Sequence, residues 1–194
     1  MPAPDNDLTI LPFADRMAWA AWLHEHHAEA PGVWLKFAKK SAGIATVTYE
    51  EAVEVALCFG WIDSLKKSFD DVWWLQRFTP RGTKSTWSKA NRQKAETLIE
   101  RGAMQPAGMH AVALAQADGR WDRAYDSQST SVAPDDLLAE LEQHPDAAAF
   151  FATLDSRNRY AISYRLQTAK KPETRASRIR QFVEMLANGQ KLYP

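Results

Sequence analysis

The sequence predicts an α+β fold: a small, mainly antiparallel sheet of about three strands packed with helices, followed by a C-terminal helical region. Three observations carry this. Segments at 33–40, 61–69 and 72–80 are dense in Val, Ile, Phe and Trp, residues that suit a pleated, half-buried surface. Helical periodicity with capping residues brackets them on both sides. From Pro134 onward every segment has a helical pattern, opened by proline or serine.

After a short Pro-containing tail, Asp15 is placed to cap a helix through His27, with Met17, Ala18, Ala21, Trp22 and Ala28 at helical spacing. Pro31-Gly32 interrupts the chain, and VWLKFAKK then alternates as a half-buried strand does. Thr48 and Glu51 form the reciprocal capping pair of a second helix, whose apolar face runs from Tyr49 to Leu57 and whose end suits Gly60. WIDSLKKSF and VWWLQRFTP, joined through Asp70-Asp71, read as an antiparallel hairpin. Alternation along the second strand puts Trp73, Leu75 and Arg77 on one face and Trp74, Gln76 and Phe78 on the other.

The loop RGTKSTW follows, and Ser88 caps a helix to Glu100 that Arg101-Gly102 ends. Another helix spans 106–117. WDRAYDSQSTSVAP lacks periodicity and reads as a loop or linker over 121–133. It divides an α+β domain, 1–120, from the helical region 134–194. That region holds DDLLAELEQ, DAAAFFATL, RNRYAISYRLQTA and ETRASRIRQFVEMLANG, the last with Ile179, Phe182, Val183 and Leu186 inward.

A chain of 194 residues with 45% hydrophobic and 25% charged residues has the make-up of an ordinary globular protein. Formal net charge is zero, so no global field draws nucleic acid or an anionic membrane. The charge is unevenly spread: residues 61–101 hold nine Lys or Arg against five acids, and 118–150 hold two against eight. The single cysteine, Cys58, excludes an internal disulfide and a Cys-rich zinc site. No signal-peptide pattern and no membrane-length apolar run is visible, so the expected setting is cytoplasmic, without membrane insertion.

The richest stretch is FGWIDSLKKSFDDVWWLQRFTPRGTKSTWSKANR, which holds four of the eight tryptophans. Arg77, Arg81, Lys84, Lys89, Arg92 and Lys94 follow one another with no acid between, interleaved with Phe78 and Trp87. Guanidinium forks suit carboxylate or phosphate, and the loop leads into the N-terminus of a helix, where backbone N–H groups favour anions. Arg77 and Arg81 would supply charge, Trp61, Phe78 and Trp87 apolar walls, and Asp63, Ser85 and Asn91 orientation. The competing account is structural: Trp61, Trp73 and Trp74 fill a core while Arg77 and Arg81 pair with Asp63, Asp70 or Asp71. Asp63 is open in the same way, a satisfied carboxylate or the acid or base of an uncharacterised enzyme beside Arg77.

His24 and His27 could share a helix face, but a zinc site needs three or four convergent ligands. No nucleophile elbow, phosphate loop or dinucleotide fingerprint appears, and no cofactor or metal is expected. The basic clusters 77–94 and 170–180 raise nucleic acid as an alternative partner, which the lack of a recognised module disfavours.

GWIDSLKKSFDDVWWLQRFTPRGTKSTWSKANRQKAETLIERGAMQPAG, with GVWLKFAKK and VTYEEAVEVALCFG before it, resembles the bacterial YdeI/OmpD-associated (bacteriocin-protection) family. YAISYRLQTAKKPETRASRIRQFVEMLANG resembles that family's C-terminal helical motif. The resemblance implies a link to envelope stress and to protection against bacteriocins or antimicrobial peptides, with no reaction attached. The expectation is a non-enzymatic cytoplasmic protein binding a small anionic ligand or a protein segment.

Overall fold

The computed structural model describes residues 8–128 and 130–194. The Pro-containing tail read from Pro2 and Pro4 lies outside them. The chain divides into two compact units, one formed by the chain through Ser85 with Gln93–Gly119, the other by Thr86–Arg92 with Arg120–Pro194.

The first unit is built on a sheet of strands β1 (Ile10–Pro12), β2 (Val33–Ala38), β3 (Trp61–Ser68) and β4 (Trp73–Pro80), in the order β1-β2-β4-β3. Four strands stand where about three were expected. The added one, Ile10–Pro12, runs parallel to β2, and at three residues it is too short for a period-2 pattern to reveal. The β2–β4 and β3–β4 pairs are antiparallel, as the hairpin reading required. β2 was expected to be half-buried, yet Val33, Trp34, Leu35 and Phe37 are all buried, because β2 is an interior strand.

Helix α1 (Arg16–His26) starts where Asp15 accepts the Ala18 N–H at 2.9 Å. Helix α2 (Tyr49–Cys58) opens with the full Thr48–Glu51 capping box. Trp19 of α1 ties these layers together. Its ring meets Phe78 edge-on at 5.7 Å and Trp61 at 6.3 Å, and its indole N–H donates to the Ala52 carbonyl of α2. Satisfying the indole N–H is what lets a ring this large lie fully buried.

Helix α3 (Lys89–Glu100) is followed by α4 (Pro106–Ala117). α4 approaches the end of α2 so closely that a Cβ at Gly108 would lie 2.3 Å from the Cys58 carbonyl oxygen. Gly60, at φ +72°, makes the reciprocal approach: its Cβ would lie 2.8 Å from the Ala107 carbonyl oxygen. Glycine is required at both positions, at Gly60 for its left-handed backbone as well.

The second unit holds α5 (Asp135–Glu142), α6 (Pro145–Thr153), α7 (Ser156–Gln167) and α8 (Pro172–Ala187) around a core that includes Leu137, Phe151, Ile162, Leu166 and Phe182. The α7 cap is Asp155, accepting the Asn158 N–H at 2.7 Å, one residue before the Ser156 expected from sequence. Arg175 braces three helices. It grips Asp136 of α5 through Nε and Nη2 at 2.6 and 2.8 Å, and Nη1 donates to the Leu166 carbonyl of α7.

Residues 86–92 group with this unit rather than with the first 120 residues. Trp87 packs edge-on against Trp121 with centroids 4.8 Å apart. The Tyr125 N–H donates to the Trp87 carbonyl, and the Lys89 N–H donates to the Tyr125 carbonyl. The 121–133 segment is irregular, as expected, but it is anchored through these bonds and through Asp126, which is bound by Lys89 and Gln167.

Candidate functional site

The hairpin β3–β4 carries most of the candidate residues, and its register decides which can cooperate. Asp63 stands opposite Phe78, Lys66 opposite Gln76 and Lys67 opposite Leu75, with a bulge between Asp63 and Lys66. Side chains alternate along a strand, so Asp63 shares the helix-covered face with Phe78, while Arg77 points to the other face. Asp63 and Arg77, which the enzymatic alternative set side by side, thus leave the sheet on opposite faces. Asp63 instead accepts a 2.6 Å hydrogen bond from the Tyr49 hydroxyl, and Arg77 Nε donates to Ser64 Oγ at 2.8 Å.

Trp61 and Phe78 are 1% and 0% exposed and lie in the core with Trp19. The Trp61 indole donates to the His27 carbonyl at 3.1 Å. Rings held this way support a surface without presenting one. Arg81 is half-buried and its backbone N–H donates to the Gly60 carbonyl. Ser85 closes the following turn: its hydroxyl accepts the Gly82 N–H, and its own N–H donates to the Gly82 carbonyl. Trp87 and Asn91 belong to the second unit. Trp87 is buried against Trp121, and the Asn91 N–H donates to Ser88 Oγ at 3.1 Å in the cap of α3. Of the eight candidates, the structure places three aromatics inside and spreads the polar ones over different faces and units.

Sequence reasoning passed over the lysines. Lys36 Nζ sits 4.6 Å from the ring centres of both Phe69 and Trp73. Lys66 lies 4.4 Å over Trp74 on the helix-covered face, and Lys67 lies 4.5 Å over Trp34 on the opposite face. Trp74 in turn stacks on Phe37 at 4.5 Å. Each ammonium is attracted by the electron-rich face of a ring, at about 0.5–1 kcal/mol apiece on a wet surface. The signal in the sequence was the Lys66-Lys67 pair one turn before Trp73-Trp74. Hairpin register brings Lys66 diagonally alongside Trp74, while Lys67 reaches across to Trp34 of β2.

The acids of the hairpin turn are partly committed. Asp70 Oδ1 accepts the Val72 and Trp73 N–H groups at 2.8 and 2.7 Å, and the Asp70 carbonyl accepts from Lys39 Nζ. Lys36, Lys39, Lys66, Lys67 and Arg77 therefore give the hairpin and its neighbour β2 a basic character. Such a surface can attract carboxylate or phosphate and can pack apolar groups against the rings.

Elsewhere, His26 and His27 turn Nδ1 toward carbonyls of their own helix, those of Trp22 and Leu23. Among the described residues no group of three or more His, Cys, Asp or Glu gathers as metal ligands would. Burial pushes the Cys58 thiol above its usual range, which keeps it protonated and inert near neutrality. No helix is long and apolar enough to cross a membrane among the described residues.

Residues 11–111, more than half of the chain, match a family model described as a domain of unknown function (DUF8412), and residues 130–189 match one described as Bacteriocin-protection, YdeI or OmpD-Associated. The chain belongs to the first of these families, and its C-terminal part matches the second. The YdeI/OmpD-associated region takes in α5 to α8 with the AKKPETR segment and the Arg175 brace. The GWID and RFTPR segments, read by resemblance as part of the same signature, fall within the DUF8412 region. No curated protein and no solved structure matches the chain.

Proposed function

We propose that this protein, whose residues 130–189 match the YdeI/OmpD-associated family, is a non-enzymatic cytoplasmic binding protein. It holds an anionic small molecule or protein segment on the basic-aromatic surface of the β3–β4 hairpin and the start of the loop that follows, to Ser85, in the service of protection against bacteriocins or antimicrobial peptides. The observation that carries the reading is the set of three lysines, Lys36, Lys66 and Lys67, held over the rings of Phe69, Trp73, Trp74 and Trp34. An ammonium held over a ring is already positioned, so an incoming anion meets an ordered charge and orders little more. The buried Trp61 and Phe78 serve as the rigid floor beneath it.

Titration of the intrinsic tryptophan fluorescence with oligoglutamate and with inorganic tripolyphosphate tests this. Saturable binding of at least one anion is expected. It should weaken as salt rises, because exposed charges are screened within about 10 Å at 0.1 M. The Lys36→Glu/Lys66→Glu/Lys67→Glu variant should lose binding while keeping its far-ultraviolet circular dichroism. A wild-type protein that ignores both anions at low salt would refute the reading. Cell fractionation tests the location: recovery outside the cytoplasmic fraction would remove that part of the proposal.

A further inference from the structure

We infer that the hairpin site takes an extended acidic peptide segment, which adds as a strand to the outer edge of β3. This rests on the anion-binding reading above and names its ligand class. The sheet order places β3 at one end, so only one of its sides is paired among the described residues. From Ser64 to Ser68 every residue of that strand is exposed. An edge of this kind presents backbone N–H and C=O groups that an incoming strand can pair with, and it is the surface used in strand-addition recognition.

The charges select the sign of the occupant. Lys66 and Lys67 are successive residues, so their side chains leave the edge on opposite faces of the sheet, one over Trp74 and one over Trp34. A second copy of β3 would bring lysine against lysine and be repelled, as like charges directly opposite are. Both ammoniums rest over rings inward of the edge, on β4 and β2, so a strand with two successive acidic residues would draw them outward and pair one carboxylate with each lysine, above and below the sheet. Leu65 and Phe69, 45% and 47% exposed, flank the lysine pair and offer apolar contact to residues on either side of the acids. The occupant is thus a short extended segment with adjacent acids bordered by apolar residues. A compact anion, in contrast, engages one face at a time.

The experiment uses the full chain and three probes: a capped Thr-Val-Glu-Glu-Val-Thr peptide, its copy N-methylated at alternate backbone nitrogens, and a capped Thr-Val-Lys-Lys-Val-Thr peptide. Calorimetry should give binding of the Glu-Glu peptide and at least a tenfold loss with the N-methylated copy. Hydrogen exchange should slow at amides within residues 64–68 when the Glu-Glu peptide is bound. The Lys66→Glu/Lys67→Glu variant should lose the Glu-Glu peptide and gain the Lys-Lys peptide, which a variant that failed to fold could not do. Equal binding of the N-methylated copy, or no slowing at 64–68, overturns strand addition and leaves the anion site standing. Failure of the Glu-Glu peptide while oligoglutamate or tripolyphosphate binds has the same meaning. Failure of every anion overturns both.

Discussion

Replacing Gly108 by alanine should destabilise the first unit, although alanine is the better helix former. In an exposed helix the change would gain about 0.8–1.0 kcal/mol. Here the new Cβ would lie 2.3 Å from the Cys58 carbonyl oxygen, 2.7 Å from that of Leu57 and 2.8 Å from the Cys58 carbonyl carbon. All three atoms are backbone, so no side chain can swing away. Ordinary contact begins at 3.4 Å, so α4 must retreat from α2 by about 1 Å. That retreat stretches the 3.1 Å bond from the Gln105 N–H to the Cys58 carbonyl and loosens the packing of Val112 and Ala115, both buried on α4. A gap of 0.5–1 Å forfeits about a quarter to a half of the dispersion energy of the contacts it opens. Overpacking of this kind costs about 1–3 kcal/mol, and three clashes with fixed backbone put it at the upper end, so after the propensity gain a net loss of about 2 kcal/mol is expected. In a chain of this size that lowers Tm by about 4–8 °C. Thermal and urea unfolding followed by tryptophan fluorescence would measure it. A variant as stable as wild type, or more so, would refute the close approach of α4 and α2.

Further outcomes follow from the second unit. Asn158→Ala should cost about 1–3 kcal/mol, because the buried amide binds both the N–H and the C=O of Tyr193. Limited proteolysis should then release the C-terminal residues early. Trp87→Ala should cost about 3–5 kcal/mol, since it empties a buried site beside Trp121; a folded variant defective only in anion binding would contradict that placement. Asp136 is held below its usual value of 3.8, first by the hydrogen bonds from Arg175. A carboxylate depressed on folding contributes stability that is fully present above the unfolded value and is lost as pH falls through the folded one. Wild type and Arg175→Ala should therefore differ most in stability above pH 3.8 and converge in stronger acid, a trend that urea midpoints across pH would reveal.

The fold was legible where local chemistry and tertiary structure agree. Asp15, the Thr48–Glu51 box and Gly60 announce helix ends because each satisfies orphan backbone groups locally. Strand β1 was not legible, since three residues become a strand only when β2 lies alongside. The site was read less well, for a related reason. Aromatic and basic residues adjacent in sequence suggested one surface, but alternation sends Asp63 and Arg77 to opposite faces. The ends of the 81–88 loop also fold into different units. Burial of Trp61, Phe78 and Trp87 depends on neighbours such as Trp19 and Trp121, distant along the chain. The lysines were overlooked because a ring beneath an ammonium is visible only once strand register is known.

The grouping of Thr86–Arg92 with residues beyond 119 has a consequence for the chain as it leaves the ribosome. The polypeptide enters the second unit, returns to the first and enters the second again. Trp87 therefore emerges well ahead of Trp121, which packs against its ring, and of Tyr125, whose N–H donates to its carbonyl. At about 5–20 residues per second, the intervening stretch takes roughly 2–8 s to synthesise. During that interval an indole and a strand-like backbone segment wait exposed. A protein released at the end of the DUF8412 region would carry that exposure permanently, so the boundary between the two families is a poor place to divide the gene.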